Sequence, residues 1–584
     1  MQLPTWASRA LPLPAALRPP VDVPAGLRTP PTLSGGLPVV GHTVEFVRGT
    51  IQLLERAREE LGEVAAFEVA GRKMVAVFGP EAHEAVFRAP DEQLNPAEAY
   101  KIMTPVFGEG MVYDAPPDKM NEQLKMLLPA LKDRRMRTYG ETILAEVEES
   151  IQGWGDEGEI DIVDYCRVLT NFTSSRCLLG DEFREGMTDE FARIYHDLER
   201  GITPLSYINA NLPLPSFKKR DLARVRLVEL IGKIIDQRAA SGRIGEDFLQ
   251  TLMDASYSSG VKLNHDEITG MLLSAMFAGH HTSSVTTAWT LIELCRDPAY
   301  LRRVVAELDQ VYGEGEPTTY SSLRSIHLTE NAVKESLRLH PPLFMLVRVV
   351  KKDFVFKGYF IPEGTWILIS PTVSHQIPDV FEYPECFDPD RFAPPRQEDK
   401  RDWAFIAFGG GRHKCMGNAF ALLQVKAILA TLLRRYEFFL VDHDVKGDFH
   451  GLVIGPSEPC RLRYRRRKTA FARAGVATAE ERARAEEALA PSQDQPSVAL
   501  EEVEREDRVQ LHVRLDHDLC QGHAVCVGEA PEVFTLGDDG KVALKTSTPD
   551  PSLNAKVRAA AKFCPQKTIL LDEPATASRC PVHA

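Results

Sequence analysis

Phe408–Gly417 reads FGGGRHKCMG, and the apolar segment AFALLQVKAILATLLRRYEFFLV (419–441) follows almost at once. The spacing of that segment predicts a helix, which puts Cys415 at or just before a helix N-terminus. Free N–H groups and the helix dipole at such a place favour a thiolate over a thiol. The glycines let the backbone turn sharply and approach a flat ligand closely. Arg412 or His413 can pair with a carboxylate on that ligand. Standing alone, a cysteine on a glycine-rich loop is most often a buried structural residue. The full string Phe-x-x-Gly-x-His-x-Cys-x-Gly, with Arg412 beside the histidine, entering a helix points instead to a metal ligand.

Two segments further out belong to the same pattern. KESLRLHPP (334–342) sets Glu335 and Arg338 on one helix face, which by itself is an ordinary i,i+3 pair worth about 0.2–0.5 kcal/mol. EITGMLLSAMFAGHHTSSVTTAWTLIELC (267–295) reads as a long apolar helix broken by AGHHTS (278–283). Its two adjacent histidines and its hydroxyls argue against a membrane span. Gly279 opens a notch in the helix wall, and Thr282 sets a hydroxyl beside it.

These three segments together resemble the cytochrome P-450 mono-oxygenases. The resemblance implies a haem b held by the thiolate of Cys415, with Phe408 of the same loop also contacting the haem. It implies that Arg391 of FDPDRF (387–392) joins Glu335 and Arg338 in a structural brace behind the haem. Thr282 and His281 become the catalytic pair that helps deliver protons during oxygen activation. His280 is as well read as a core residue satisfied by helix carbonyls.

YKIMTPVFGEGMVYD (100–114) alternates aromatic and aliphatic residues with Gly and Pro, as in a wall over an apolar pocket. With AGHHTS it is similar to the sterol 14α-demethylases, over residues of about 35–468. That family implies propionate contacts from Tyr100, Arg348 and His413. It implies a sterol cavity lined by Ile102, Met103, Phe107, Tyr113, Ala278, Leu343, Phe344 and Met345. Ile102 is small for its place, which suits a lanosterol-type substrate with two methyls at C4. The implied reaction is three successive oxidations of the 14α-methyl with release of formate. Two readings stay open beside it: a hydroxylase of another hydrophobe (a fatty acid or terpenoid), or a haem and iron–sulfur redox or gas sensor.

A second metal pattern lies near the end of the chain. Cys520, Cys526 and Cys564, the last followed by Pro565, resemble the bacterial ferredoxin run, with His523 at the place of the middle cysteine. Three thiolates with one corner empty suit a 3Fe-4S cluster, and His523 stays open as a further ligand. Zinc on three cysteines and His523 is the competing reading.

The expected organisation is a proline-rich arm (1–40), a mainly α cytochrome P-450 domain with small β-sheets (41–468), an Ala/Glu-rich linker (469–508) and a small α+β ferredoxin-like domain of βαββαβ order (509–584). Helices are expected at 53–61, 141–154 and 302–312, and β-rich runs at 64–79 and 351–369. A flexible 40-residue linker would span roughly 35 Å r.m.s., holding a carrier near the haem at roughly millimolar effective concentration.

Composition bounds the rest. The 584-residue chain carries a net charge of −14 with 26% charged residues, which argues against nucleic-acid binding. Ten cysteines, several of them at metal-like spacings, favour a reducing compartment and a cytoplasmic location. The prolines of MQLPTWASRALPLPAALRPP fit neither a secretory leader nor a transmembrane anchor. No G-x-G-x-x-G follows a strand, so NADPH is expected to act only indirectly, through an external NAD(P)H-dependent ferredoxin reductase. Molecular oxygen and a sterol are the other expected partners.

Overall fold

The computed structural model describes residues 22–468 and 510–572, apart from 132, 182–183, 185–188, 208, 243, 246, 314–317, 450–452, 518–519, 521, 523, 538 and 565–567. The described part of the arm is extended and lies along the sheet, with bridges from Arg28 to Tyr359 and from Thr32 to Ala66. Helix α1 (Thr43–Leu61) then leads into the hairpin β1 (Val64–Val69) and β2 (Arg72–Val77). These strands build a five-stranded sheet with β3 (Leu94–Asn95), β5 (Leu346–Val350) and β6 (Trp366–Ile369), in the order β1-β2-β6-β5-β3. Met74 of β2 pairs in parallel with Trp366 of β6, and the other ladders are antiparallel. A second sheet sets β8 (Arg461–Arg466) between β4 (Glu157–Asp161) and β7 (Tyr436–Leu440).

Helices form the body: α2 (Asp133–Ser150), α3 (Ile162–Leu179), α4 (Asp189–Arg200), α5 (Pro215–Ser241), α6 (His265–Arg296), α7 (His327–Leu339) and α8 (Asn418–Arg435). The helix expected to run to 154 stops at Ser150. Trp154 leaves the helix to stack on Tyr464 of β8, ring centres 4.4 Å apart, and that packing outweighs one more turn.

Helix α6 starts at a capping box between Asn264 and Glu267 and packs along α3, α7 and α8. It runs unbroken through AGHHTS, contrary to the expected break. The reason is local: the Thr282 hydroxyl donates to Ala278 O at 2.6 Å and Thr286 to Thr282 O at 2.6 Å. The polar residues therefore satisfy themselves on their own helix without opening it.

The C-terminal unit follows β9 (His512–Leu515), α9 (Val525–Glu529), β10 (Phe534–Leu536), β11 (Val542–Leu544), α10 (Asn554–Phe563) and β12 (Ile569–Asp572). This is the expected βαββαβ order. Strand β9 pairs antiparallel with β12, and β10 with β11. The core is small, built on Leu511, Val513, Phe534, Val542, Val557 and Ile569 with Cys520 and Cys526 among them. The linker 469–508 lies outside the described residues.

Candidate active site and cluster site

The Cys415 loop is closed by its own backbone. Cys415 N–H donates to Phe408 O at 2.9 Å and Lys414 N–H to Gly411 O at 3.2 Å. Gly411 has φ +63, and a Cβ there would come within 2.0 Å of Phe87 O. A Cβ on Gly410 would meet Phe87 and Trp403 at 2.7 and 2.8 Å. Only glycine allows this approach. Helix α8 begins at Asn418 behind an N-cap at Gly417, as the sequence predicts. Burial pushes the Cys415 thiol up, while the Gly417 backbone and Lys414 act the other way. The residue is nevertheless exposed. A thiol that is both desolvated and accessible lines an internal cavity, which is what a haem ligand requires.

The loop rests on a buried ionic brace. Arg338 grips Glu335 with two bonds of 2.8 and 2.9 Å, and Arg391 Nε donates to the same carboxylate at 3.0 Å. All three side chains are fully buried. The remaining donors are also used: Arg338 reaches the carbonyls of His375, Pro384 and Cys386, and Arg391 reaches Glu398 at 2.9 Å. His375 completes the link to the loop. It accepts the Ile406 N–H at 3.0 Å on Nε2, so Nδ1 carries the proton and donates to Arg338 O at 3.2 Å. Burial, with Arg338 beside it, holds the His375 ring down to about 3.

On the other side, α6 presents Ala278 and Thr282. Ala278 is exposed although it lies mid-helix between buried turns, and Leu343 is 39% exposed. Ile102, Met103, Phe107, Phe344 and Met345 are buried in one cluster, with Tyr100 packed against it. The Tyr113 side chain lies outside the described residues. The roof loop is pinned where Gly270 of α6 meets it: a Cβ there would strike Phe107 O at 2.2 Å. Arg224 holds the same carbonyl at 3.1 Å and pairs with Asp266 at 3.0 Å. His281 stands edge-on to Phe277 and lies 2.6 Å from Glu199 on α4. Burial alone would raise the Glu199 carboxyl, but His281 and His280 outweigh it and take it down to about 2.

In the C-terminal unit the three cysteines converge from two segments. Burial lifts the Cys526 thiol to about 12, and the neighbouring Cys564 and Cys520 add to the effect. Backbone N–H groups are aimed at the sulfurs: Val542 N–H to Cys520 Sγ and Thr568 N–H to Cys564 Sγ, each at 3.4 Å. Such bonds stabilise cluster thiolates and tune their potential. The residues present therefore fit an iron–sulfur centre. His523 lies outside the described residues. The unit sits against the back of the Cys415 loop. A cleft of about 400 Å³ is lined by Phe408, Gly409–Gly411 and Lys414 on one side and by Val525 and Cys564 on the other. Arg324 and Glu529 bridge the two bodies at 2.7 Å.

Residues 30–461 match the family model "Cytochrome P450". The chain belongs to the cytochrome P450 family. Residues 513–571 match "4Fe-4S single cluster domain". A "Sterol 14alpha-demethylase" of Mycolicibacterium vanbaalenii is 44% identical over 444 residues, 75% of this chain and 98% of that protein. An "Obtusifoliol 14-alpha demethylase" of Sorghum bicolor is 39% identical over 447 residues, covering 75% of this chain and 91% of the relative. A "Lanosterol 14-alpha demethylase" of Bos taurus is 36% identical over 455 residues, covering 77% and 90%. A solved cyanobacterial P450 with bound retinoic acid shares the fold at TM-score 0.68 and 22% identity, over 76% of this chain and all of that one.

Within the P450 domain, His413 already has one acidic partner on Nε2, which lies 2.7 Å from Asp91. Burial works against the Asp91 carboxylate, but His413, Arg412 and Arg348 outweigh it and hold the carboxyl below its usual value. Arg348 is buried, and its guanidinium donates to Val347 O at 2.9 Å. That leaves donors of a five-donor group for a ligand carboxylate. Asp91, Glu199, Arg224, His375 and Glu398 all shape the P450 site and were not singled out from sequence. Asp91, Glu199, Arg224 and His375 lie tens or hundreds of residues from the motifs they serve, and Glu398, seven residues after Arg391, carries no spacing that marks it. No helix of the described residues is long and apolar enough to cross a membrane.

Proposed function

We propose that this P450 removes the 14α-methyl group of a lanosterol-type sterol, with electrons supplied through its own ferredoxin domain. Three relatives from a bacterium, a plant and a mammal carry sterol or obtusifoliol 14-demethylase names at 36–44% identity across nearly the whole P450 domain. The observation that carries the electron route is the shared cleft, with Cys564 on one wall and the haem loop on the other.

Cys415 would hold the haem iron, and Tyr100, Arg348 and His413 would meet its propionates. Bound in this way, the haem supplies oxygen activation with O–O cleavage favoured by the thiolate. The chain's own residues bind and orient. Ile102, Met103, Phe107, Tyr113, Ala278, Leu343, Phe344 and Met345 hold a rigid sterol that loses little entropy on entry. Thr282 Oγ1 and the His281 ring move protons at the cavity wall. The substrate passes from methyl to alcohol to aldehyde, then loses C14's substituent as formate, using one dioxygen and two electrons per round.

The cluster is proposed as 3Fe-4S. A single zinc with Zn–S near roughly 2.3 Å needs sulfurs within about 4.6 Å of each other. Among the described residues the three cysteines make no group with all ligand atoms within 4.8 Å, which favours a larger polynuclear centre. Reducing equivalents come from NADPH through a separate ferredoxin reductase. The reducing, cytoplasmic setting is read from the metal-like cysteine spacings.

The test is the purified holoprotein with a ferredoxin reductase, NADPH and lanosterol. One formate per demethylated sterol supports the reading; sterol hydroxylation without formate, or no sterol-dependent oxygen uptake, overturns it. Electron paramagnetic resonance separates the clusters, because a 3Fe-4S centre is paramagnetic when oxidised and a 4Fe-4S centre when reduced.

A further inference from the structure

Glu199 on α4 and His280 and His281 on α6 bring three ligand atoms within 4.8 Å of one another. His280 Nδ1 lies 3.3 Å and His281 Nε2 2.6 Å from Glu199 Oε1. The side chains of His280 and Glu199 are 2% and 8% exposed. Two of the atoms, Glu199 Oε1 and His280 Nδ1, are buried and make no aligned hydrogen bond.

The tautomer of His280 sharpens the problem. Its Nε2 lies 2.8 Å from Arg167 O. A carbonyl only accepts, so Nε2 bears the proton. In the neutral ring Nδ1 is then a lone pair pointed at a carboxylate oxygen. Two electron-rich atoms buried face to face are reconciled by a cation between them, either a proton on Nδ1 or a metal ion. The Nε2–H···O=C bond is also the outer contact that fixes a metal-ligating histidine.

We propose that Glu199, His280 and His281 form a binding site for a transition-metal dication of the Zn2+ class. Two imidazole nitrogens and one carboxylate oxygen match the donor set of open zinc sites, with a fourth position for water. With bonds near roughly 2.0–2.2 Å, tetrahedral ligands stand roughly 3.3 Å apart. The His280–Glu199 separation already has that value, and the His281–Glu199 contact must widen by under about 1 Å. Resting on the proton-delivery role proposed for His281, occupancy withdraws that ring from catalysis, so Zn2+ acts as an inhibitor.

The experiment loads the haem- and cluster-containing full chain with Zn2+ alone, dialyses it, counts metal, and records zinc X-ray absorption. The expected result is one zinc per chain with nitrogen and oxygen neighbours showing imidazole scattering. His280→Ala and Glu199→Gln each weaken retention at least tenfold, with the carbon monoxide difference spectrum unchanged as the check on folding. A zinc shell containing sulfur, no zinc retained, or retention in both variants equal to that of the unsubstituted chain overturns the proposal. Because this readout is independent of turnover, an inactive enzyme that still binds zinc at this site counts against the proposed function and not against the metal site.

Discussion

The two halves of the chain hold their metal-binding cysteines in opposite ways. Cys415 sits alone on a loop closed by backbone bonds and braced by Glu335, Arg338, Arg391, Glu398 and His375, every one of them buried. Cys520, Cys526 and Cys564 come from separate segments of a unit of some sixty residues, whose thin core includes two of the cysteines themselves. Below roughly 70–80 residues a core rarely holds a fold without a staple. The difference teaches that the P450 domain shapes its site before its cofactor arrives, whereas the cluster completes the ferredoxin unit and contributes its folding energy.

The largest expected effect breaks the comparison on its weaker side. Removing the cluster from the holoprotein, or Cys526→Ala, should unfold residues 510–572. Limited proteolysis should cut that unit while the reduced–carbon monoxide Soret band stays thiolate-like and sterol binding persists. Retention of a protease-resistant ferredoxin unit without its cluster would erase the contrast.

The next effect tests the stronger side. Glu335→Ala leaves Arg338 as a buried charge without a carboxylate and Arg391 with Glu398 alone, costing about 3–5 kcal/mol. Denaturant unfolding and haem content measure it, and a loss below 1 kcal/mol would mean the brace is ornamental. A smaller effect per unit of change comes from pH. His375 stays neutral in the fold down to about 3, against 6.5 for the free ring. The unfolded chain therefore takes up a proton below pH 6.5 that the folded chain refuses. Stability falls as pH drops from 6.5 towards 3, by about 1.4 kcal/mol per pH unit from this group. His375→Gln should flatten that slope in urea titrations of the P450 transition.

The smallest effect is at the junction. Arg324 and Glu529 are each about a quarter exposed, so the pair contributes under about 1 kcal/mol. Arg324→Glu should slow cluster-to-haem electron transfer only about two- to fivefold in stopped flow, and adding Glu529→Arg should restore it.

Sequence and structure agree where the chemistry is written in a short string. FGGGRHKCMG, the Glu335–Arg338 spacing and the βαββαβ order stand as expected, because local spacing alone places those residues on one turn or one face. The break in α6 was misread because Thr and Ser in a helix can bond back to it, and composition does not distinguish that from a kink. The carboxylates were hidden for another reason. Glu199 and Asp91 meet their histidine partners only after the chain has folded, from positions tens or hundreds of residues away, and Glu398 lies seven residues from Arg391 at a spacing that marks nothing. Ordinary acidic residues on helices and loops give no hint of such meetings. The shared cleft between Cys564 and the haem loop was equally out of reach, since the intervening linker fixes a distance and no orientation.

The central claim is that a tethered cluster feeds the haem of the same chain. The direct measurement is formate release per chain from lanosterol, with saturating ferredoxin reductase and NADPH, across a hundredfold dilution of the protein. Delivery within one chain predicts a rate per chain that does not change with dilution and is lost in Cys526→Ala. A rate per chain that falls in proportion to concentration, or that survives in Cys526→Ala, would contradict it.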